Sequence, residues 1–285
     1  MANLIKGKEL SEKIVAQVRE EALKYEKEAG RKPGLTVIIV GENPASKVYV
    51  NKKKKTSEEA GFKSEVIALP EDVSQQELEW HIDKLNADST VDGILVQLPL
   101  PKHINTYEIL ERIAPDKDVD GFHPINAGKL MTGLKPYAVP CTPYGIIRLL
   151  DENRIEIEGK HAVVIGRSNI VGKPVAALLL NRSATVTVCH SKTNNLPEIC
   201  VQADILVAAV GIPKFVKADW VKEGATIIDV GINRTEEGKL VGDVDFDNVA
   251  PKAGNITPVP GGVGPMTIAM LLSNTLDLFK LHIQQ

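Results

Sequence analysis

A chain of 285 residues with 43% apolar and 25% charged side chains has the composition of a folded protein of two domains, which excludes disorder and a single small core. With 34 Lys and Arg against 37 Asp and Glu, the formal net charge of -3 excludes a broad basic face for nucleic acid or an anionic membrane, so a small-molecule partner is expected. The three cysteines, Cys141, Cys189 and Cys200, make no C-x-x-C pair, and no stretch resembles a signal peptide or the ~20 apolar residues of a membrane span, so a reducing cytoplasm is the expected setting.

Apolar residues at Leu10, Ile14, Val18 and Ala22, followed by Gly30 and Pro33, predict an amphipathic helix. A buried strand over 35–40, a helix over 46–60 ended by Gly61, a strand over 65–69 closed by Pro70 and a helix over 74–85 come next. An apolar strand over 93–97 and a helix over 106–113 complete a first α/β unit. Residues 116–143 are rich in Gly, Pro and Asp and are expected to form the hinge between units.

Beyond it, a helix over 146–151, a strand over 161–165, a glycine-bearing turn, a helix over 173–180 and a strand over 185–188 make a βαβ unit. Strands over 205–208 and 226–230 extend it into a parallel, doubly wound sheet. After Pro265, Ile268, Leu271, Leu272, Leu276 and Phe279 predict a terminal helix that returns to the first domain. The expected architecture is two α/β domains with a cleft between them, the second Rossmann-like. Residues 1–120 with 266–285 form the first, 140–265 the second, and 121–139 the link.

Gly166-Arg167-Ser168-Asn169-Ile170-Val171-Gly172-Lys173 places glycines where a strand turns into a helix, so backbone N–H groups and a helix N-terminus can meet a phosphate. The two glycines stand one residue too far apart for a P-loop, and Pro174 replaces the residue that would hold magnesium. Since the turn also departs from G-x-G-x-x-G, a dinucleotide cradle and a purely structural turn both remain open. Arg167 can pair with the 2′-phosphate of NADP or be a solvated surface arginine. Cys189-His190-Ser191-Lys192 follows the next strand and lacks the acid that would hold an NAD ribose, which favours NADP. None of the six histidines has metal-ligand spacing, so no metal is expected.

Ser46, Tyr49 and Lys53 share one face of the predicted helix. The run Lys52 to Lys55, by its pattern alone, reads as a solvated charge face, yet helical geometry leaves only Lys53 over Tyr49. Together with Val96-Gln97-Leu98-Pro99-Leu100, Asp118-Val119-Asp120-Gly121, Gly166-Arg167-Ser168 and Pro260-Gly261-Gly262-Val263-Gly264-Pro265-Met266-Thr267, this motif resembles the successive signatures of the methylenetetrahydrofolate dehydrogenase/cyclohydrolase family. The resemblance covers essentially the whole chain, in order, and Phe122-His123-Pro124 resembles the bacterial branch.

That resemblance implies NADP-dependent oxidation of 5,10-methylenetetrahydrofolate, followed by hydrolysis of the methenyl product. It implies Lys53 as the acid/base group, Gln97 as its hydrogen-bonding partner, Tyr49 as a stacking face for the folate rings and Asp120 as acceptor for the pterin edge. A lysine doing such work at neutral pH requires desolvation or neighbouring positive charge, and the cationic substrate supplies some of the latter. Ser46, Val96, Leu98 and Pro260 to Thr267 would contact substrate. Thr142, Gly166, Arg167, Ser168, Ile170, Val171, Gly172, His190, Ser191 and Ile232 would contact NADP. A homodimer is likewise implied.

A short-chain dehydrogenase also uses Tyr-x-x-x-Lys, but its glycine turn precedes that pair, whereas Tyr49 comes well before Gly166. A folate- or nucleotide-binding protein without turnover is the remaining rival, and retention of Lys53 and Gln97 argues against it.

Overall fold

A computed structural model describes residues 2–235 and 237–284. The chain divides into two compact units, Lys13–Cys141 with Ile268–Gln285, and Met1–Glu12 with Thr142–Thr267. It opens with β1 (Asn3–Leu4) and the helix Gly7–Ala29, whose Glu9 and Lys27 suit the helix dipole at its two ends.

In the unit containing Lys13–Cys141, β2 (Gly34–Val40) is flanked by β3 (Lys63–Leu69) and β4 (Gly93–Val96), all parallel. Every residue of β2 and β4 is buried, as continuous apolar runs in a parallel sheet should be. Ile38, Leu78, Ile82, Ile94 and Ile109 anchor the core, each worth about 1.5–3 kcal/mol relative to exposure. β4 ends at Val96, yet the Gln97 N–H donates to Ile38 O at 2.8 Å, so the ladder delivers Gln97 to the carboxyl end of the sheet.

Asp92, buried just before β4, accepts from both guanidinium nitrogens of Arg31 at 2.7 and 2.8 Å, from Gly34 N at 2.8 Å and from His282 Nδ1 at 2.9 Å. Arg31 in turn lies 4.8 Å from the centroid of the Phe279 ring. These contacts fasten the end of the last helix, Val263–His282, to this unit.

The segment expected to link the units holds a helix of its own. Residues 121–139 contain the helix Pro124–Met131, capped by His123 Nδ1 accepting from Ile125 N at 3.0 Å, with Pro124 in its first turn. Asn126 within it donates to Asp118 Oδ2 at 2.9 Å and to Pro115 O at 2.8 Å, and accepts from Tyr137 N at 3.0 Å. The Gly and Pro content thus builds the caps and turns of this helix. The helix predicted from 146 begins at Cys141.

The other unit holds β5 (His161–Ile165), β6 (Thr185–Cys189), β7 (Ile205–Ala208), β8 (Thr226–Asp229), an antiparallel pair β9 (Asn233–Arg234) and β10 (Leu240–Val241), and β11 (Asn255–Ile256). Its six-stranded sheet runs β1-β11-β8-β7-β5-β6 with parallel pairing throughout. β5 lies between β6 and β7, so sheet growth reverses there, the place where doubly wound sheets bind ligands. Asn3↔Asn255 and Leu4↔Ile256 pairing, with Gly7 N and Lys8 N donating to Gly261 O at 2.9 and 3.2 Å, groups residues up to Glu12 with this sheet and not with 13–120. Among the described residues, no helix is long and apolar enough to cross a membrane.

Candidate active site

The helix Pro44–Glu59 carries the four consecutive lysines, and only Lys53 is buried, at 6% exposure. Lys54 and Lys55 reach toward Glu58 and Glu59 at 3.9 Å on the solvent side. Lys53 Nζ donates to Gln97 Oε1 at 3.0 Å. The Gln97 amide is itself oriented, because its Nε2 donates to Leu98 O at 2.7 Å and so leaves the oxygen for the ammonium. Tyr49, one turn earlier, is half-buried, and burial pushes its phenol up. Ser46 is half-buried at the helix start, with its N–H donating to Asn43 Oδ1 at 3.1 Å. Val96, by contrast, packs into the apolar core at 1% exposure, so its side chain is not presented to a ligand.

Asp118 and Asp120 have different surroundings. Asp118 accepts from His123 N at 2.8 Å and from Asn126 Nδ2, so it organises the turn; burial still pushes its carboxyl up. The Asp120 carboxyl is pushed up to about 6 by burial, against the pull of the Lys53 charge and with Asp118 adding to the rise. Among the described residues, its Oδ1 has only the Cys141 thiol as a protein donor, at 3.7 Å. Asn274 on the last helix donates to Val119 O at 2.9 Å and Val139 O at 2.8 Å and contacts Cys141 Sγ at 3.6 Å, framing the loop that carries Asp120. Sequence reading missed Asn274, whose only signal is an amide inside an apolar helical stripe.

In the other unit the turn after β5 meets the demands of a phosphate cradle. Gly166 has φ +120°, and a Cβ there would strike Ala209 O; one on Gly172 would strike Gly166 O. The helix Gly172–Asn181 therefore starts directly against the turn backbone. Ser168 Oγ accepts from Val171 N at 3.2 Å and Gly172 N at 3.3 Å. Arg167, Ser168 and Ile170 are exposed, and no carboxylate pairs with Arg167 among the described residues. After β6, His190 N donates to Thr193 Oγ1 at 2.8 Å, and His190 Nδ1 accepts from Lys192 N at 3.1 Å; Ser191 is exposed. The bare glycine cradle, the free guanidinium and the missing acid fit a 2′-phosphorylated dinucleotide.

Pro260-Gly261-Gly262 forms a tight turn, with Gly261 at φ +104°, and Val263 to Thr267 form the first turn and beyond of the last helix. A Cβ on Gly262 would meet Pro258 O at 2.6 Å, and Gly264 and Pro265 are half-buried. Val263 and Met266 are buried, Met266 against Gly145. Thr142 Oγ1 and Thr267 Oγ1 are 2.8 Å apart, joining the starts of two helices. Residues 260–267 and Thr142 belong to the unit with β5–β11, whereas Ser46, Tyr49, Lys53, Gln97, Leu98 and Asp120 belong to the unit with β2–β4. Ile232 is 50% exposed in the loop after β8. Buried Asp229 and Asp243 brace that loop and were missed, although a Gly-Asp pair within an apolar run, Val241-Gly242-Asp243-Val244, is the signal that was available.

Known proteins resemble this chain over nearly its whole length. Residues 5–120 match the tetrahydrofolate dehydrogenase/cyclohydrolase catalytic domain, and residues 140–283 match the NAD(P)-binding domain of the same family. A bifunctional protein FolD of Bacillus cereus is 59% identical over 280 residues, 98% of this chain and 97% of the relative. The crystal structure of the bifunctional FolD enzyme from Campylobacter jejuni superposes with a TM-score of 0.96 at 53% identity, covering 99% of each chain. The Trypanosoma brucei FolD, solved with NADP cofactor and inhibitor, gives a TM-score of 0.95 at 42% identity, covering 100% of this chain and 99% of that one.

Proposed function

The chain belongs to the tetrahydrofolate dehydrogenase/cyclohydrolase family, and from that premise we propose how its residues divide the work of a bifunctional enzyme. It oxidises 5,10-methylenetetrahydrofolate with NADP and hydrolyses the 5,10-methenyl product to 10-formyltetrahydrofolate. One observation carries the assignment of the acid/base group: of four adjacent lysines, Lys53 alone is withdrawn from water, with its Nζ held 3.0 Å from Gln97 Oε1.

NADP, when bound, supplies the hydride acceptor for the methylene carbon. Gly166 to Gly172 hold its phosphates through backbone N–H groups and the helix N-terminus, and Arg167 pairs with the 2′-phosphate. Tyr49 offers its ring face to the folate, and ionised Asp120 accepts from the amino-pyrimidine edge, which turns the one-carbon bridge toward Lys53.

In the hydrolysis, water adds to the cationic bridge carbon and the bond from that carbon to N5 breaks, leaving the formyl group on N10. N5 takes one proton, and one is released overall. Lys53 takes the proton from the adding water and returns one to N5. Gln97 holds the amine in line, because its own amide is pinned by Leu98 O.

The reaction is assigned to the cytoplasm, with a homodimer as the working assembly. β6 supports the second statement: it is a sheet-edge strand with Val188 exposed, the kind of edge that invites pairing.

The direct test compares NADP with NAD as oxidant of methylenetetrahydrofolate and measures methenyl hydrolysis without either. Faster reduction of NADP, hydrolysis independent of cofactor, and a weakened NADP preference in Arg167→Ala are expected. An unchanged preference ratio in that variant contradicts the assigned role of Arg167.

A further inference from the structure

Two buried carboxylates serve no step described so far. Asp243 is fully buried, yet its Oδ2 accepts from Val210 N at 2.7 Å and Gly211 N at 2.9 Å, and its Oδ1 from Asn233 Nδ2 at 2.9 Å. Asp229, at the end of β8, accepts through Oδ1 from Gly231 N at 3.0 Å and Asp243 N at 2.8 Å, and through Oδ2 from Val244 N at 3.0 Å. No Lys, Arg or His forms an ion pair with either among the described residues, so backbone amides and one side-chain amide supply the compensation. Gly231 and Gly242 have no room for a side chain, since a Cβ on them would strike the carboxylates of Asp243 and Asp229 respectively.

Burying two such groups is costly, and well-packed apolar side chains would serve stability as well or better. Their placement gives the cost a use. The donors to Asp243 come from the loop after β7 (Val210, Gly211) and from Asn233 at the start of β9, and Asp229 is held by Gly231 in the loop after β8 and by the N–H groups of Asp243 and Val244; both loops lie at the carboxyl end of the parallel sheet, where Gly166 also lies. Ile232 stands half exposed between Gly231 and Asn233, and each of these neighbours is tied to one of the aspartates.

We propose that Asp243, linked through Asn233 and braced by Asp229, is a positioning residue for NADP: it locks the loops after β7 and β8 together so that Ile232 meets the nicotinamide end of the cofactor. This rests on the reading above that Ile232 is a cofactor contact. Asp243 touches no substrate and moves no proton. Its role is confined to the dehydrogenase, because hydrolysis of the methenyl bridge needs no oxidant.

Steady-state kinetics of the full-length enzyme test this through Asn233→Ala, Asp243→Asn and Ile232→Ala, with KM for NADP, KM for methylenetetrahydrofolate and the cyclohydrolase rate measured on each. Asn233→Ala removes one tie and is expected to raise KM for NADP about fivefold. Folate KM and hydrolysis should stay near the parent values. Asp243→Asn turns an acceptor into a donor facing N–H groups and should have the larger effect on the same parameter. Should Asp243→Asn lose both activities through misfolding, Asn233→Ala decides alone. An unchanged KM for NADP in Asn233→Ala, or equal losses in both activities there, overturns the positioning role. If that happens while Ile232→Ala raises KM for NADP, the contact stands and only the positioning falls. If Ile232→Ala also leaves it unchanged, the contact reading falls as well.

Discussion

Asp118 and Asp120 are separated by one residue and belong to one motif, but their surroundings give them different work. Asp118 spends its lone pairs on the turn and on Asn126, whereas Asp120 has, among the described residues, a single weak thiol donor and keeps its acceptor capacity for a ligand. Burial raises the Asp120 carboxyl to about 6, and a pterin edge requires the ionised form. KM for the folate should therefore be flat above about 6 and rise about tenfold per pH unit below it. A profile flat down to about 4, the ordinary aspartate range, would show that the Asp120 carboxyl is not raised in the enzyme. The sign for stability is opposite: because the folded value lies above the ordinary 3.8, this group's contribution falls as pH rises from 3.8 to about 6 and is constant beyond. The Tyr49 and Lys53 spacing was legible in the sequence because helical period alone singles out one lysine. The division between Asp118 and Asp120 was not, since it depends on Asn126, Cys141 and Asn274, which lie elsewhere in the chain.

At the scale of elements, apolar runs announced β2, β4, β5, β7 and β8, because buried parallel strands tolerate little else. β1 and β11 were illegible: two residues carry no period, and their pairing joins Leu4 to Ile256 across almost the whole chain. The helix Pro124–Met131 was hidden by the same Gly and Pro residues that punctuate its ends. Asp92 was hidden too, as an acid between apolar residues, although it ties β4 to Arg31 and to the last helix. Burial pushes its carboxyl up, but Arg31, His282 and the Gly34 N–H together hold it below the usual aspartate value. Asp92→Ala strands these partners and should cost about 3 kcal/mol of stability in denaturant melts. A loss under about 1 kcal/mol, the range of an exposed pair, would show that the network contributes little.

Across the molecule, the residues assigned to the two chemistries sort with the two compact units. Lys53, Gln97 and Asp120 group with β2–β4, and Gly166, Arg167 and Ser168 with the six-stranded sheet. Proton transfer is thus assigned to one unit and cofactor binding to the other, and the two activities should separate under mutation. The measurement that bears most directly on this is the pair of rates in Lys53→Ala, dehydrogenase and cyclohydrolase, assayed on one preparation. Cyclohydrolase is expected to fall about 100-fold or more, the usual worth of a positioned acid/base group, while part of the dehydrogenase rate survives. Equal retention of both rates would contradict the assignment.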